Sequence, residues 1–205
     1  VSGVRVKICG LTRLEDALLA ARLGADALGF NFWRGSKRFI EPEAARAIVD
    51  RLPPFVTPVG VFVNQPPTEV LATAALAGVA AVQLHGDEPY EDCNGYPIPA
   101  VKAVRVAGPE SLSELHRYRV KAFLLDAPSA GFGGSGATFD WALARSAAER
   151  FTVILAGGLH EANVQDAIRA VRPFAVDVAS GVESAPGVKD PAKLERFITR
   201  AKEIT

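Results

Sequence analysis

The chain has 205 residues, 49% of them hydrophobic, enough to bury a substantial core in one or two domains. Its 23 basic residues balance 23 acidic ones, which argues against a general nucleic-acid or membrane-surface role, since either favours a basic excess. Two cysteines far apart, Cys9 and Cys93, suggest neither a disulfide framework nor a zinc site, and no apolar run reaches transmembrane length.

The chain opens on an alternating strand, Val4 to Gly10. Val4, Val6 and Ile8 share one face, and Arg5, Lys7 and Cys9 the other. Thr12 with Glu15 reads as a capping box for a helix from Leu14 to Leu23, stopped by Gly24. Ala25 to Phe30 is a second, apolar strand. Asn31 to Ile40 is a loop carrying Arg34, Lys37 and Arg38, and Glu41-Pro42-Glu43 opens a second helix. Val59 to Val63 is the third strand, followed by a helix from Thr68 to Leu76. Ala80 to Leu84 is the fourth, carrying Gln83 and leading into His85 and Asp87, with a weak helical piece starting at Pro89. Ala100 to Val106 is the fifth strand, and Ser111 to Tyr118 is helical only in part. Ala122 to Leu125 leads into Asp126, a glycine-rich loop and a helix from Phe139. Thr152 to Ala156 leads into Gly157-Gly158 and a helix ending at Val171. Phe174 to Val178 leads into Ser180-Gly181 and a last helix, Asp190 to Lys202.

These are eight strand-then-helix units in strict alternation, at roughly 26 residues each. The strands read as apolar runs, as expected when both faces of a parallel sheet are covered. The fold class is therefore α/β, and eight units predict closure into a (β/α)8 TIM barrel, with residues 1–205 forming one domain. An open doubly wound sheet is the rival.

In a barrel the loops that follow the strands share one rim, and that rim carries active sites. Cys9 leaves the first strand there, Arg34 and Arg38 follow the second, His85 and Asp87 the fourth, and Asp126 the sixth. Gly157-Gly158 and Ser180-Gly181 occupy the two loops that commonly hold phosphate, where glycine lets bare N–H groups approach an anion. The run from Gly131 to Thr138 nearly spells a P-loop, but Ala137 stands where the nucleotide-binding Lys belongs. A lid over the pocket is the better reading. Lys7 and Lys102 keep Schiff-base chemistry open.

Lys7-Ile8-Cys9-Gly10, Gly29-Phe30, Ser36-Lys37-Arg38, Val59-Gly60-Val61-Phe62 and Val82-Gln83-Leu84-His85-Gly86 fill the first half of the chain. Leu125-Asp126, Gly133-Gly134-Ser135-Gly136, Gly157-Gly158-Leu159 and the run from Val176 to Glu183 continue through the second. With these motifs the sequence closely resembles the phosphoribosylanthranilate isomerases, although members often have Lys where this chain has Ala137 and Ser where it has Ala179.

The resemblance implies an aldose-ketose isomerase of L-tryptophan biosynthesis, working by Amadori rearrangement without cofactor or metal. Its substrate would be N-(5-phosphoribosyl)anthranilate and its product 1-(2-carboxyphenylamino)-1-deoxyribulose 5-phosphate. It implies Asp126 as the acid that protonates the furanose ring oxygen, and Cys9 as the base that removes the C2′ proton. Arg38, Gln83, His85, Gly157, Gly158, Asp177, Ser180 and Gly181 are the implied substrate-binding residues, Arg38 gripping the anthranilate carboxylate in a two-pronged pair. An ordinary carboxyl, pKa about 3.9, is a poor acid near neutrality, and a thiol near 8.5 is mostly protonated. The chemistry asks burial to move the carboxyl up and positive surroundings to move the thiol down. The alternatives are a Schiff-base lyase using Lys7 or Lys102, and a phosphosugar-binding protein without turnover, which leaves Cys9 and Asp126 unexplained.

Further expectations come from the residues themselves. Lys7 and Asp177, from neighbouring strands inside the barrel, should form an ion pair with Lys102 nearby, because a buried charge is costly unless paired. Leu52-Pro53-Pro54-Phe55, on the opposite rim, displays an apolar side chain on a stiff loop suited to a homodimer contact, unless Phe55 plugs its own barrel. The absence of methionine, with only seven Asn and Gln together, suits a heat-adapted source. No signal-peptide stretch opens the chain, so the expected location is cytoplasmic, and the missing leading Met implies processing.

Overall fold

A computed structural model describes residues 3–127 and 140–204. Eight of its strands pair side by side in chain order, all parallel, and close into a barrel. They are β1 (Arg5–Ile8), β2 (Ala27–Asn31), β3 (Thr57–Phe62), β4 (Ala81–Leu84), β5 (Ala100–Arg105), β6 (Ala122–Asp126), β7 (Val153–Leu155) and β8 (Ala175–Val178). The seam is made by β1 against β8, with Lys7 directly opposite Asp177. Closure removes the two edges that an open doubly wound sheet would expose, so that rival is excluded.

Alternation sorts the strand residues into two layers. Outward positions such as Val6, Ile8, Leu28, Phe30, Leu84, Phe123 and Leu125 pack beneath the helices in the main core. Inward positions Ala103, Ala122, Leu124, Ile154, Ala156 and Ala175 form a second, smaller cluster inside the barrel. The helices are α1 (Leu14–Arg22), α2 (Pro42–Val49), α3 (Pro67–Ala77), α4 (Tyr90–Cys93), α5 (Trp141–Ala148), α6 (Val164–Val171) and α7 (Pro191–Lys202). In α6 the buried residues are Val164, Ala167, Ile168 and Val171, the spacing of a single helical stripe laid on the sheet.

The departures from sequence expectation have local causes. Thr12 caps nothing: its hydroxyl donates to the Gly187 carbonyl at 2.7 Å, and α1 starts after Arg13 without a side-chain cap. The fifth unit carries two short 3-10 turns, Pro109–Leu112 and Leu115–Arg117, in place of a helix. There the Ser111 hydroxyl accepts from the Ala107 amide and the Ser113 hydroxyl donates to the Glu110 carbonyl, local bonds that compete with helical ones. After β8 the chain makes an unforeseen antiparallel hairpin, β9 (Glu183–Ala185) with β10 (Val188–Lys189). The expected lid, 131–138, lies outside the described residues, as does Phe139, and α5 begins at Trp141 with Asp140 capping the Ala142 amide.

Candidate active site

The floor of the pocket is the Lys7–Asp177 pair, Nζ to Oδ1 at 2.7 Å, with both side chains less than a tenth exposed. Burial works against the Lys7 charge, but the Asp177 carboxylate and the neighbouring Cys9 outweigh it and hold the ammonium above its usual range. The expected ion pair is present. Lys102 is not beside it. Ala103 belongs to the interior cluster, so its neighbour Lys102 points to the outer layer, where it meets Glu88 at 2.7 Å and the Gly86 carbonyl at 2.8 Å.

Cys9 stands on the inward face one alternation above Lys7, partly buried on the pocket wall. The positive surroundings sought in the sequence are there, yet they do not prevail. Burial pushes the thiol up from its ordinary value, with Asp177 adding to it, and the opposing pull of Lys7 and Lys189 is smaller. Gly10 follows with φ of 75°, and a Cβ there would come 2.4 Å from Cδ of Arg38. Glycine is thus what lets the stem of Arg38 lie against the Cys9 loop.

Arg38 enters the pocket already engaged. Its Nε and Nη2 donate to the two carboxylate oxygens of Glu183 at 2.8 and 2.7 Å. One two-pronged edge of the guanidinium, Nε with Nη2, is therefore occupied from within the protein, which leaves the Nη1 side of the fork to face a ligand carboxylate. Lys189 completes the cluster. Burial pushes its pKa down, but its Nζ has three acceptors, the Cys9 carbonyl at 2.6 Å, the Glu183 carboxylate at 2.9 Å and the Ala179 carbonyl at 3.3 Å. Three acceptors match the three N–H bonds of an ammonium.

Burial opposes the Glu183 charge, but Arg38 and Lys189 outweigh it and hold this carboxyl below the usual carboxylate range. A depressed folded-state pKa contributes stability that is complete above the unfolded value, about 4.3, and is lost as pH falls through the folded value. Acid unfolding of the wild type should therefore steepen below about pH 4, and Glu183→Gln should flatten that limb. Identical acid limbs in melting temperature against pH would refute this.

Asp126 ends β6 on the inward side, two residues above Leu124 of the interior cluster. One carboxylate oxygen accepts from the Ala127 amide at 2.9 Å, and the other lies 3.4 Å from Nε2 of His85. A Cβ on Gly157, whose φ is 82°, would fall 2.5 Å from the Ala127 nitrogen and 3.1 Å from Asp126 Oδ1. The glycine thus keeps the Asp126–Ala127 turn in place as well as turning the chain.

One cleft is lined by Cys9, Arg38, His85, Asp126, Gly157, Gly158, Asp177 and Ser180, with Asn31, Ser36, Val61, Val63, Ala156 and Leu159 between them. Two implied ligand contacts stand elsewhere. Gln83 is buried below His85, and Gly181 sits where a Cβ would strike the Leu159 carbonyl, packing the two glycine loops against each other. Arg34 and Asp87 also miss this cleft: Arg34 pairs with Glu41, and Asp87 with Arg105. Among the described residues no group of His, Cys, Asp and Glu could hold a metal ion.

A profile of the N-(5′-phosphoribosyl)anthranilate (PRA) isomerases matches residues 6–200. The chain belongs to the phosphoribosylanthranilate isomerase family. The N-(5′-phosphoribosyl)anthranilate isomerase of Geobacter metallireducens is 54% identical, across 97% of this chain and 99% of its own. The solved phosphoribosylanthranilate isomerase of Thermotoga maritima superposes with a TM-score of 0.93 at 50% identity, covering 98% of this chain and all of that one. A phosphoribosylanthranilate isomerase solved with reduced 1-(o-carboxyphenylamino)-1-deoxyribulose 5-phosphate superposes at 0.89 with 48% identity, over 98% of this chain and all of its own. In this isomerase chain, Glu183 and Lys189 are the residues that sequence reasoning missed. The signal available was Pro186-Gly187, a turn dipeptide that folds the chain between them.

Proposed function

We propose that this pocket converts N-(5′-phosphoribosyl)anthranilate to 1-(2-carboxyphenylamino)-1-deoxyribulose 5-phosphate, a step of tryptophan biosynthesis, with Asp126 as acid and Cys9 as base. The observation that carries this reading is the placement of an inward carboxyl on β6 and an inward thiol on β1, lining one cleft. Asp126 gives its proton to the furanose oxygen, the C1′–O bond opens, and an iminium forms at C1′. Cys9, as thiolate, then takes the proton from C2′, and the resulting enolamine becomes the ketone. Burial keeps the resting sulfur as a thiol, so ionisation belongs to the loaded site, where the cationic iminium joins Lys7 in favouring the anion.

Gly157, Gly158 and Ser180 hold the phosphate, with Gly181 supporting their loops, and the free side of Arg38 meets the anthranilate carboxylate. Asp177 serves the site through Lys7. A Schiff base on Lys7 is disfavoured, because it needs a neutral amine and Asp177 holds this one charged. Loss of phosphoribosylanthranilate fluorescence on adding the protein is the direct test, and no loss at micromolar enzyme would refute the assignment.

Heat adaptation and a cytoplasmic location complete the reading, supported by the residue usage. No helix among the described residues is long and apolar enough to cross a membrane. A homodimer is supported by Phe55, which is 95% exposed and so does not plug its own barrel. The Thermotoga maritima isomerase is described as dimeric. Phe55→Glu is expected to halve the sedimentation mass, and a wild type already monomeric at micromolar concentration would rule the dimer out.

A further inference from the structure

Gln83 is 1% exposed inside the barrel, and its Nε2 lies 2.7 Å from Nδ1 of His85. An amide nitrogen only donates, so Nδ1 is the acceptor and the imidazole proton sits on Nε2. That nitrogen lies 3.4 Å from Asp126 Oδ2, short of hydrogen-bond geometry, and has no other partner among the described residues. With the amide turned round, its oxygen would require a proton on Nδ1. A neutral ring would then aim a bare Nε2, an acceptor placed to draw off the acid's proton, at Asp126 Oδ2. The geometry points to Gln83 as a positioning residue that keeps the His85 proton on Nε2, so that His85 presents an N–H and not a lone pair towards Asp126 and cannot take the acid's proton.

This rests on Asp126 being the acid. An ordinary imidazole, pKa about 6.5, is a stronger base than an ordinary carboxylate of about 3.9. An unrestrained histidine beside the acid would drain it and leave an imidazolium–carboxylate pair. Here Nε2 is already protonated, and the only other site, Nδ1, faces the amide N–H of Gln83. Once Asp126 has delivered its proton, the Nε2–H and the Ala127 amide meet the new carboxylate. The other charges beside His85 are engaged with one another, Lys102 with Glu88 and Arg105 with Asp87, while Cys9, Arg38 and Asp177 lie elsewhere on the same cleft wall.

The test is the 15N spectrum of histidine-labelled, substrate-free protein near neutral pH, with the His85 signals assigned by their loss in His85→Asn. The wild type should show a protonated Nε2 and a bare Nδ1. Gln83→Glu, whose carboxylate accepts, should move a proton onto Nδ1 and lower kcat by roughly tenfold or more, with KM held within about threefold. Gln83→Met, which keeps the size without the donor, should show a mixture of tautomers. A wild-type His85 protonated on Nδ1 overturns the proposal, as does a Gln83→Met variant whose tautomer and kcat equal those of the wild type. The tautomer is read without substrate, so this outcome is separate from the activity of Asp126→Asn, which tests the acid itself.

Discussion

Cys9→Ser is expected to lose at least roughly 10²–10⁴-fold in turnover while binding a product analogue within about tenfold of the wild type. Only one atom changes, but a hydroxyl is a far weaker acid than a thiol and supplies almost no anion near neutrality. Asp126→Asn should fall by a similar factor, because an amide keeps the shape and has no proton of suitable acidity. Its contacts with the Ala127 amide and with His85 show how closely shape and chemistry are separated here: Asn can keep the first through its oxygen while losing the second function entirely. Analogue binding should survive in both, since neither substitution alters Gly157, Gly158, Ser180 or Arg38. A structural role for Cys9 predicts the reverse, a lower melting temperature with most turnover intact. A Cys9→Ser enzyme retaining a tenth of wild-type activity would remove Cys9 from the mechanism.

Lys7→Met should cost about 3–5 kcal/mol in urea unfolding, because it leaves the Asp177 carboxylate buried without its partner. For a chain of this size that corresponds to a fall in melting temperature on the order of 10 °C. Pairing Lys7→Met with Asp177→Leu should recover most of the loss, since an apolar pair of similar volume carries no desolvated charge. The register explains why the coupling is tight: Lys7 and Asp177 are opposite one another across the β1–β8 seam and both point inward. A single Lys7→Met variant within about 1 kcal/mol of the wild type would show that the pair contributes nothing net, as exposed pairs often do.

Strand periodicity was enough to foresee this pair, because inward and outward faces follow from alternation alone and the seam follows from closure. The same logic located Cys9, His85, Asp126 and the two glycine loops on one rim. Lys102 escaped it, since neighbouring strands of a barrel are staggered, and a parity counted along one strand does not say which layer a residue on another strand joins. Gln83 entered as a ligand contact through the resemblance alone, two residues before His85 and on the same face. That spacing hides a difference in depth: the deeper of the two stacked side chains touches the upper one and does not line the cleft. Glu183 and Lys189 lie beyond the eighth strand, where neither period operates, and their link to Arg38 spans 145 residues. Nothing local in a sequence announces such a contact. The direction of the Cys9 shift was not legible for a related reason: cations can be counted along a chain, whereas the cost of removing water is a property of the assembled interior.

The lysine of the closing hairpin grips the carbonyl of Cys9 from 180 residues further along the chain. On a ribosome adding about 5–20 residues each second, Cys9 emerges roughly 10–40 s before that partner exists. Throughout this interval the sulfur lacks the enclosure that later suppresses its ionisation, and it is left with the ordinary thiol pKa of about 8.5. The nascent chain is therefore a stronger nucleophile at this position than the finished enzyme, and oxidants or alkylating agents reach it most readily during synthesis. Completion of the last βα unit is what brings this lysine onto the Cys9 carbonyl and reduces the exposure of the sulfur to adventitious chemistry.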